Sequence, residues 1–84
     1  MTQKIRMNKT LGENLRRIRT EKNLTQEQVI ARLQLMNIDI SRSIYSQIEC
    51  GTYNIKVPTL IALKFIFSVS YDEFFEGIKI VEEK

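Results

Sequence analysis

The sequence predicts an all-α domain of five helices. Three observations carry this reading. Apolar residues recur at helical spacing in successive stretches, and boxes of the type S/T-x-x-E/Q stand where three of these stretches open. One proline and three glycines among 84 residues leave little for sheet turns. With 43% hydrophobic and 27% charged residues, the chain fits one small domain with a single core.

Thr10 with Glu13 opens a first helix over residues 11–22, with Leu11, Leu15 and Ile18 on its buried stripe and Asn23 as its stop. Arg16 and Arg17 point away from that stripe, and Arg19 lies on its border, within reach of the interior. Residues 1–9 read as a flexible basic arm: Lys4, Arg6 and Lys9 have no apolar run behind them, so no secretory signal is expected. Thr25 with Gln28 repeats the box. It opens a second helix whose buried face is Val29, Ile30, Leu33 and Met36, with Asn37 closing it. Ile38 and Ile40 then alternate with Asp39 in a turn that inserts apolar side chains beneath both helices.

The third helix, residues 41–50, organises the rest. Ser41 can cap its start, and Gly51 can take the left-handed conformation that ends it. At about 100° per residue, Ile44, Tyr45 and Ile48 share one side, which must be buried. Arg42, Ser43, Ser46 and Gln47 share the other, where hydrogen-bond donors dominate. Arginine matches the two acceptors of guanine and glutamine the acceptor and donor of adenine on their major-groove edges.

After Gly51, residues 52–57 read as a loop, and Pro58 suits the first turn of a fourth helix. Leu60, Ile61, Leu63, Phe65, Ile66 and Phe67 cover most of that helix, so it is either the central core element or also part of a partner surface. Ser70 with Glu73 opens a short fifth helix carrying Tyr71, Phe74 and Phe75 that stops at Gly77. The domain therefore spans residues 10–77, followed by a tail over 78–84.

Charge is uneven along the chain. Residues 1–56 hold ten Lys/Arg against five Asp/Glu, and residues 57–84 hold three against five. A basic half containing an exposed donor-rich helix points to a polyanion. Histidine is absent and Cys50 is the one cysteine, which excludes a multi-Cys/His zinc site, an intrachain disulfide and histidine-based acid–base catalysis. Isolated serines and scattered carboxylates make no catalytic constellation, so no enzyme, metal or cofactor is expected. A lone thiol suits a reducing cytoplasm. The apolar run at residues 60–69 is broken by Lys64 and too short for a membrane span.

With these residues in place, the sequence resembles the Cro/phage-repressor helix-turn-helix family, also called XRE-like regulators. The likeness runs from Leu11 to Phe75. It passes through Leu24-Thr25-Gln26-Glu27-Gln28, Ser41-Arg42-Ser43, Ile48-Glu49-Cys50-Gly51 and Val69-Ser70-Tyr71-Asp72-Glu73-Phe74-Phe75. The resemblance implies a third helix lying in the major groove of double-stranded DNA, with Arg42, Ser43, Ser46 and Gln47 reading bases. It implies phosphate contacts by Gln26 and by the loop residues Thr52, Tyr53, Asn54 and Lys56, and an ion pair of Arg19 with Glu49. The sequence departs from the family at two places. Seven residues separate Leu33 from Ser41, more than the compact pattern has, and Ile44 and Tyr45 replace a smaller polar residue and an aliphatic one. Ile44 is left either to meet a thymine methyl or to extend the core.

The resulting expectation is a cytoplasmic transcriptional regulator, a repressor acting as a homodimer on a two-fold-related operator. Phe74, Phe75, Ile78, Ile80 and Val81 are candidates for the dimer contact, because the core reserves no place for the last three. No small-molecule ligand is expected, since the five helices use nearly the whole chain. The competing expectation is a protein-interaction module of the same fold, for example an antitoxin-like partner.

Overall fold

The helices close by one repeated device. α1 (Met7–Glu21), α2 (Gln26–Leu35), α3 (Arg42–Cys50) and α4 (Val57–Phe67) are each followed by a left-handed residue: Asn23, Asn37, Gly51 and Ser68, with φ of 59°, 65°, 81° and 56°. In each case the next amide turns back to a carbonyl of the last turn. Leu24 bonds Arg19 at 3.1 Å, Ile38 bonds Leu33 at 2.9 Å, Thr52 bonds Gln47 at 3.0 Å and Val69 bonds Lys64 at 3.3 Å. Asn and Gly tolerate this geometry readily, whereas Ser68 does so against its side chain's preference.

The structure is a computed structural model that describes the backbone of residues 4–5, 7–78 and 80–81 and the side chains of residues 11–78. α5 (Tyr71–Phe74) completes the five helices, so the domain is all-α as expected. One small ribbon is added to them. β1 (Lys4–Ile5) pairs antiparallel with β2 (Ile80–Val81), Lys4 opposite Val81 and Ile5 opposite Ile80, and brings the two ends of the described chain together.

Helix openings follow the sequence at α2 and α3. Thr25 forms both halves of its capping box, its Oγ1 accepting from the Gln28 amide at 3.1 Å while its own amide donates to Gln28 Oε1 at 2.8 Å. Ser41 Oγ accepts from the Ile44 amide at 3.1 Å. At the chain's start the expectation is corrected. α1 begins at Met7, not after Thr10, because Met7 continues the four-residue spacing of Leu11 and Leu15 and the helix runs on through Thr10. Residues 4–5 and 7–9 are thus strand and helix rather than a flexible arm, while residues 1–3 and 6 lie outside the described ones. Ser70 caps α5 by position but without a side-chain hydrogen bond; the Glu73 amide reaches the Ser70 carbonyl at 3.2 Å instead. α2 also stops one residue early, at Leu35, which leaves Met36 exposed.

The core joins all five helices: Leu11, Leu15 and Ile18; Val29 and Leu33; Tyr45 and Ile48; Ala62, Leu63 and Phe67; and Phe74. Phe74 was a dimer candidate and is corrected to a core residue. It is 0% exposed and meets Phe67 edge to face at 6.4 Å, because α5 folds back over α4. Asn14 of α1 holds that fold-back, its Nδ2 donating to the carbonyls of Phe74 at 2.8 Å and Glu76 at 2.9 Å. Phe75 and Ile78 are half-buried against the core. The side chains of Ile80 and Val81 lie outside the described residues.

Candidate nucleic-acid interface

α3 is anchored on one side and open on the other. Tyr45 and Ile48 are buried and Ile44 is half-buried against the core, beside Ile38, Ile40 and Tyr53. Ile44 therefore extends the core. On the opposite side Arg42, Ser43 and Gln47 are exposed and Ser46 is half-buried. Gln47 Nε2 donates to Ser43 Oγ at 3.3 Å, one turn earlier. These four side chains stand on one helix face, as their spacing predicts.

The position of α3 is set at its far end, where α1 crosses it. Gly12 makes the crossing possible: a Cβ there would lie 2.5 Å from the Glu49 carbonyl oxygen and 2.6 Å from that of Ile48. Only a residue without a side chain allows the two backbones to approach this closely. Sequence reasoning missed Gly12, and a lone glycine inside a helical stretch was the available signal.

Two turns further along α1, Arg19 forks onto Glu49. Its Nε donates to Oε2 at 2.7 Å and its Nη2 to Oε1 at 3.1 Å, while Nη1 donates to the Leu24 carbonyl at 2.8 Å. The side chains are 11% and 3% exposed. The hydrogen bonds to Glu49 hold the guanidinium protonated beyond its ordinary range, against the opposing effect of burial. Tyr45 lies close by, and its hydroxyl is buried without a hydrogen-bond partner among the described residues. Burial first, and then the negative charge of Glu49, push its ionisation far above the usual phenol range.

Gln26 links this pair to the outer face. Its Nε2 donates to Glu49 Oε1 at 3.0 Å, and its Oε1 accepts from Arg42 Nε at 3.5 Å. Arg42 also lies 3.4 Å from Glu27 through Nη1, an exposed contact that the sequence reading did not include. A chain of contacts thus runs from Arg19 through Glu49 and Gln26 to Arg42. In the loop after α3, Thr52 and Lys56 are exposed, Thr52 Oγ1 donating to the Gln47 carbonyl at 3.4 Å. Asn54 is exposed as well, and Tyr53 is half-buried against the core. Gln26 and this loop thus both lie beside α3.

Comparison with known proteins identifies this architecture. A family model described as a helix-turn-helix domain matches residues 12–80. The chain belongs to this helix-turn-helix family. Its type is that of Cro and the phage repressors. The crystal structure of the restriction-modification controller protein C.AhdI from Aeromonas hydrophila is similar, with a TM-score of 0.68 and 25% identity over 80% of this chain and 94% of that one. A mutant of the restriction-modification controller protein C.Esp1396I gives a TM-score of 0.67 and 26% identity over 83% of this chain and 82% of that one. A comparison with curated protein sequences finds no match. No described helix of this helix-turn-helix protein is long and apolar enough to cross a membrane.

Proposed function

We propose that this DNA-binding transcriptional regulator reads a specific double-stranded site, with α3 in the major groove. The outer face of α3 carries this reading: Arg42, Ser43, Ser46 and Gln47 stand on the side away from the buried Tyr45 and Ile48, on a helix capped at both ends. Arg42 and Gln47 supply bidentate partners for guanine and adenine. Gln26, Thr52, Tyr53, Asn54 and Lys56 flank that helix where the backbone of the same duplex passes, and they position it without reading sequence.

The protein acts as a homodimer and represses from a two-fold-related operator in the cytoplasm. One helix reads only a few base pairs, which is too little to single out a site in a genome. The surface that supports pairing is the outer side of α4. Val57, Ile61 and Phe65 recur there every four residues, with Val57 67% and Phe65 63% exposed, and Tyr71 lies beside Phe65 across Lys64. Contiguous exposed apolar surface of this kind marks an interaction site. The C-terminal candidates Phe75, Ile78, Ile80 and Val81 remain part of the proposed contact. The described residues 10–77, with the ribbon joining the termini, form the DNA-binding unit.

Selection of bound duplexes from a random pool tests the reading. The expected product is a site with two related halves about one helical turn apart. Enrichment of no duplex, together with a tight complex with another protein, would establish the interaction-module reading instead.

A further inference from the structure

α1 carries two arginines toward α3, and among the described residues only one of them, Arg19, has a partner. Gly12, Arg16 and Arg19 follow one another at intervals of four and three residues, so they share one face of that helix. Gly12 touches the backbone of Ile48 and Glu49, and Arg19 is locked onto the Glu49 carboxylate. Arg16 stands between them, exposed, in a cleft of about 250 Å³ that it lines with Gln26, Ser46 and Cys50.

The internal chemistry of that cleft is complete without Arg16. Both oxygens of Glu49 are occupied, Oε2 by Arg19 Nε and Oε1 by Arg19 Nη2 and Gln26 Nε2. Arg16 has no hydrogen bond or ion pair with any described residue. Its neighbour Arg17, in contrast, is paired with Glu21 and Glu76. An unpaired guanidinium with five donors, set between a base-facing serine of α3 and the glutamine that opens α2, is suited to an oxyanion with two or more acceptor oxygens.

We propose that Arg16 contacts a backbone phosphate of the bound duplex, so that α1 grips DNA alongside α2 and the loop after α3. This rests on the placement of α3 in the major groove. A purely structural role is the competing account, with Arg16 compensating the negative end of α3 next to Cys50. The two differ in what they change: a phosphate contact alters the salt dependence of binding, whereas a helix-end contact alters melting.

The test measures affinity against salt for the full chain on the duplex returned by selection, for Arg16→Ala, Arg16→Lys and Arg17→Ala. Loss of one phosphate contact per protomer reduces the slope of log affinity against log salt by about 0.9 per protomer. Arg16→Ala is expected to show that reduction with unchanged melting, while Arg16→Lys and Arg17→Ala keep the parental slope. A parental slope and affinity in Arg16→Ala, on a duplex that the parent binds, overturns the assignment and leaves the groove reading intact. A changed melting temperature with a parental slope assigns Arg16 to the helix end and overturns it too. A parent chain that binds no duplex in a salt-dependent way overturns the groove reading itself, and Arg16 with it.

Discussion

The crossing of α1 over α3 and the outer side of α4 solve opposite problems. At the crossing, Gly12 brings backbones together, Arg19 and Glu49 satisfy one another, and Gln26 takes the remaining carboxylate capacity. Every strong polar group of the pair has its partner inside one chain. On α4, by contrast, Val57, Ile61 and Phe65 expose apolar surface that no described residue covers. A polar junction is costly unless complete, so it closes internally; an apolar face tolerates water and is left for a partner.

The largest expected effect breaks the crossing. Glu49→Ala leaves the Arg19 guanidinium buried without its partner, and breaking a buried pair in this way costs about 3–5 kcal/mol. Denaturant unfolding measures it, and a midpoint equal to the parent's would mean that the pair carries no stability. Gly12→Ala comes next. Its Cβ would lie well inside the contact distance of the Ile48 and Glu49 carbonyls, so α1 must move, at about 1–3 kcal/mol for overpacking of this kind. Because that movement also tilts α3, affinity for the selected duplex should fall more than affinity for a scrambled one.

Tyr45 sharpens the same region through pH. In the unfolded chain its phenol ionises near pH 10, whereas in the native state burial holds it neutral at that pH. The native protein then keeps a proton that the unfolded chain releases. This contribution to stability is intact below pH 10 and declines above it, by about 1.4 kcal/mol per pH unit for one such group. Tyr45→Phe should make the alkaline decline shallower by that amount. At neutral pH it removes a hydroxyl that has no hydrogen-bond partner among the described residues, so it should be neutral or stabilising by up to about 1 kcal/mol. A large destabilisation at neutral pH would show that the hydroxyl holds the ion pair in place.

The smallest effect on stability belongs to α4. Phe65→Asp changes an exposed position and should alter the protomer's unfolding by no more than about 0.5 kcal/mol. Its consequence lies in association: if the proposed dimer forms through α4, sedimentation should show a monomer for Phe65→Asp and a dimer for the parent. An unaltered dimer would move the contact to Phe75, Ile78, Ile80 and Val81.

Much of this protein was legible in its residues. Thr25 with Gln28, Ser41, Asn37 and Gly51 mark helix ends by local hydrogen bonding and backbone freedom, which depend on neighbours in sequence alone. The two faces of α3 follow from periodicity, and so do most core positions. Local signals misled where a longer-range preference was stronger. Thr10 carries a capping motif, yet the helix continues through it to Met7, and the ribbon between residues 4–5 and 80–81 had no signal in strands of two residues. Phe74 reads as surplus apolar surface in sequence because nothing local reveals that Asn14 ties α5 back onto α1.

What the sequence by itself determined is the set of helices, the side-chain caps of α2 and α3, and the polar face offered by Arg42, Ser43, Ser46 and Gln47. Each of these rests on contacts within a few residues. Only the tertiary structure decided that Gly12 sets the approach of α1 to α3, that Gln26 joins Glu49 to Arg42, and that Arg16 has no partner among the described residues while Arg17 meets Glu76. Those facts depend on which residues meet across separations of 16 to 59 positions, where packing and completed hydrogen bonding select one arrangement and no periodic pattern records it.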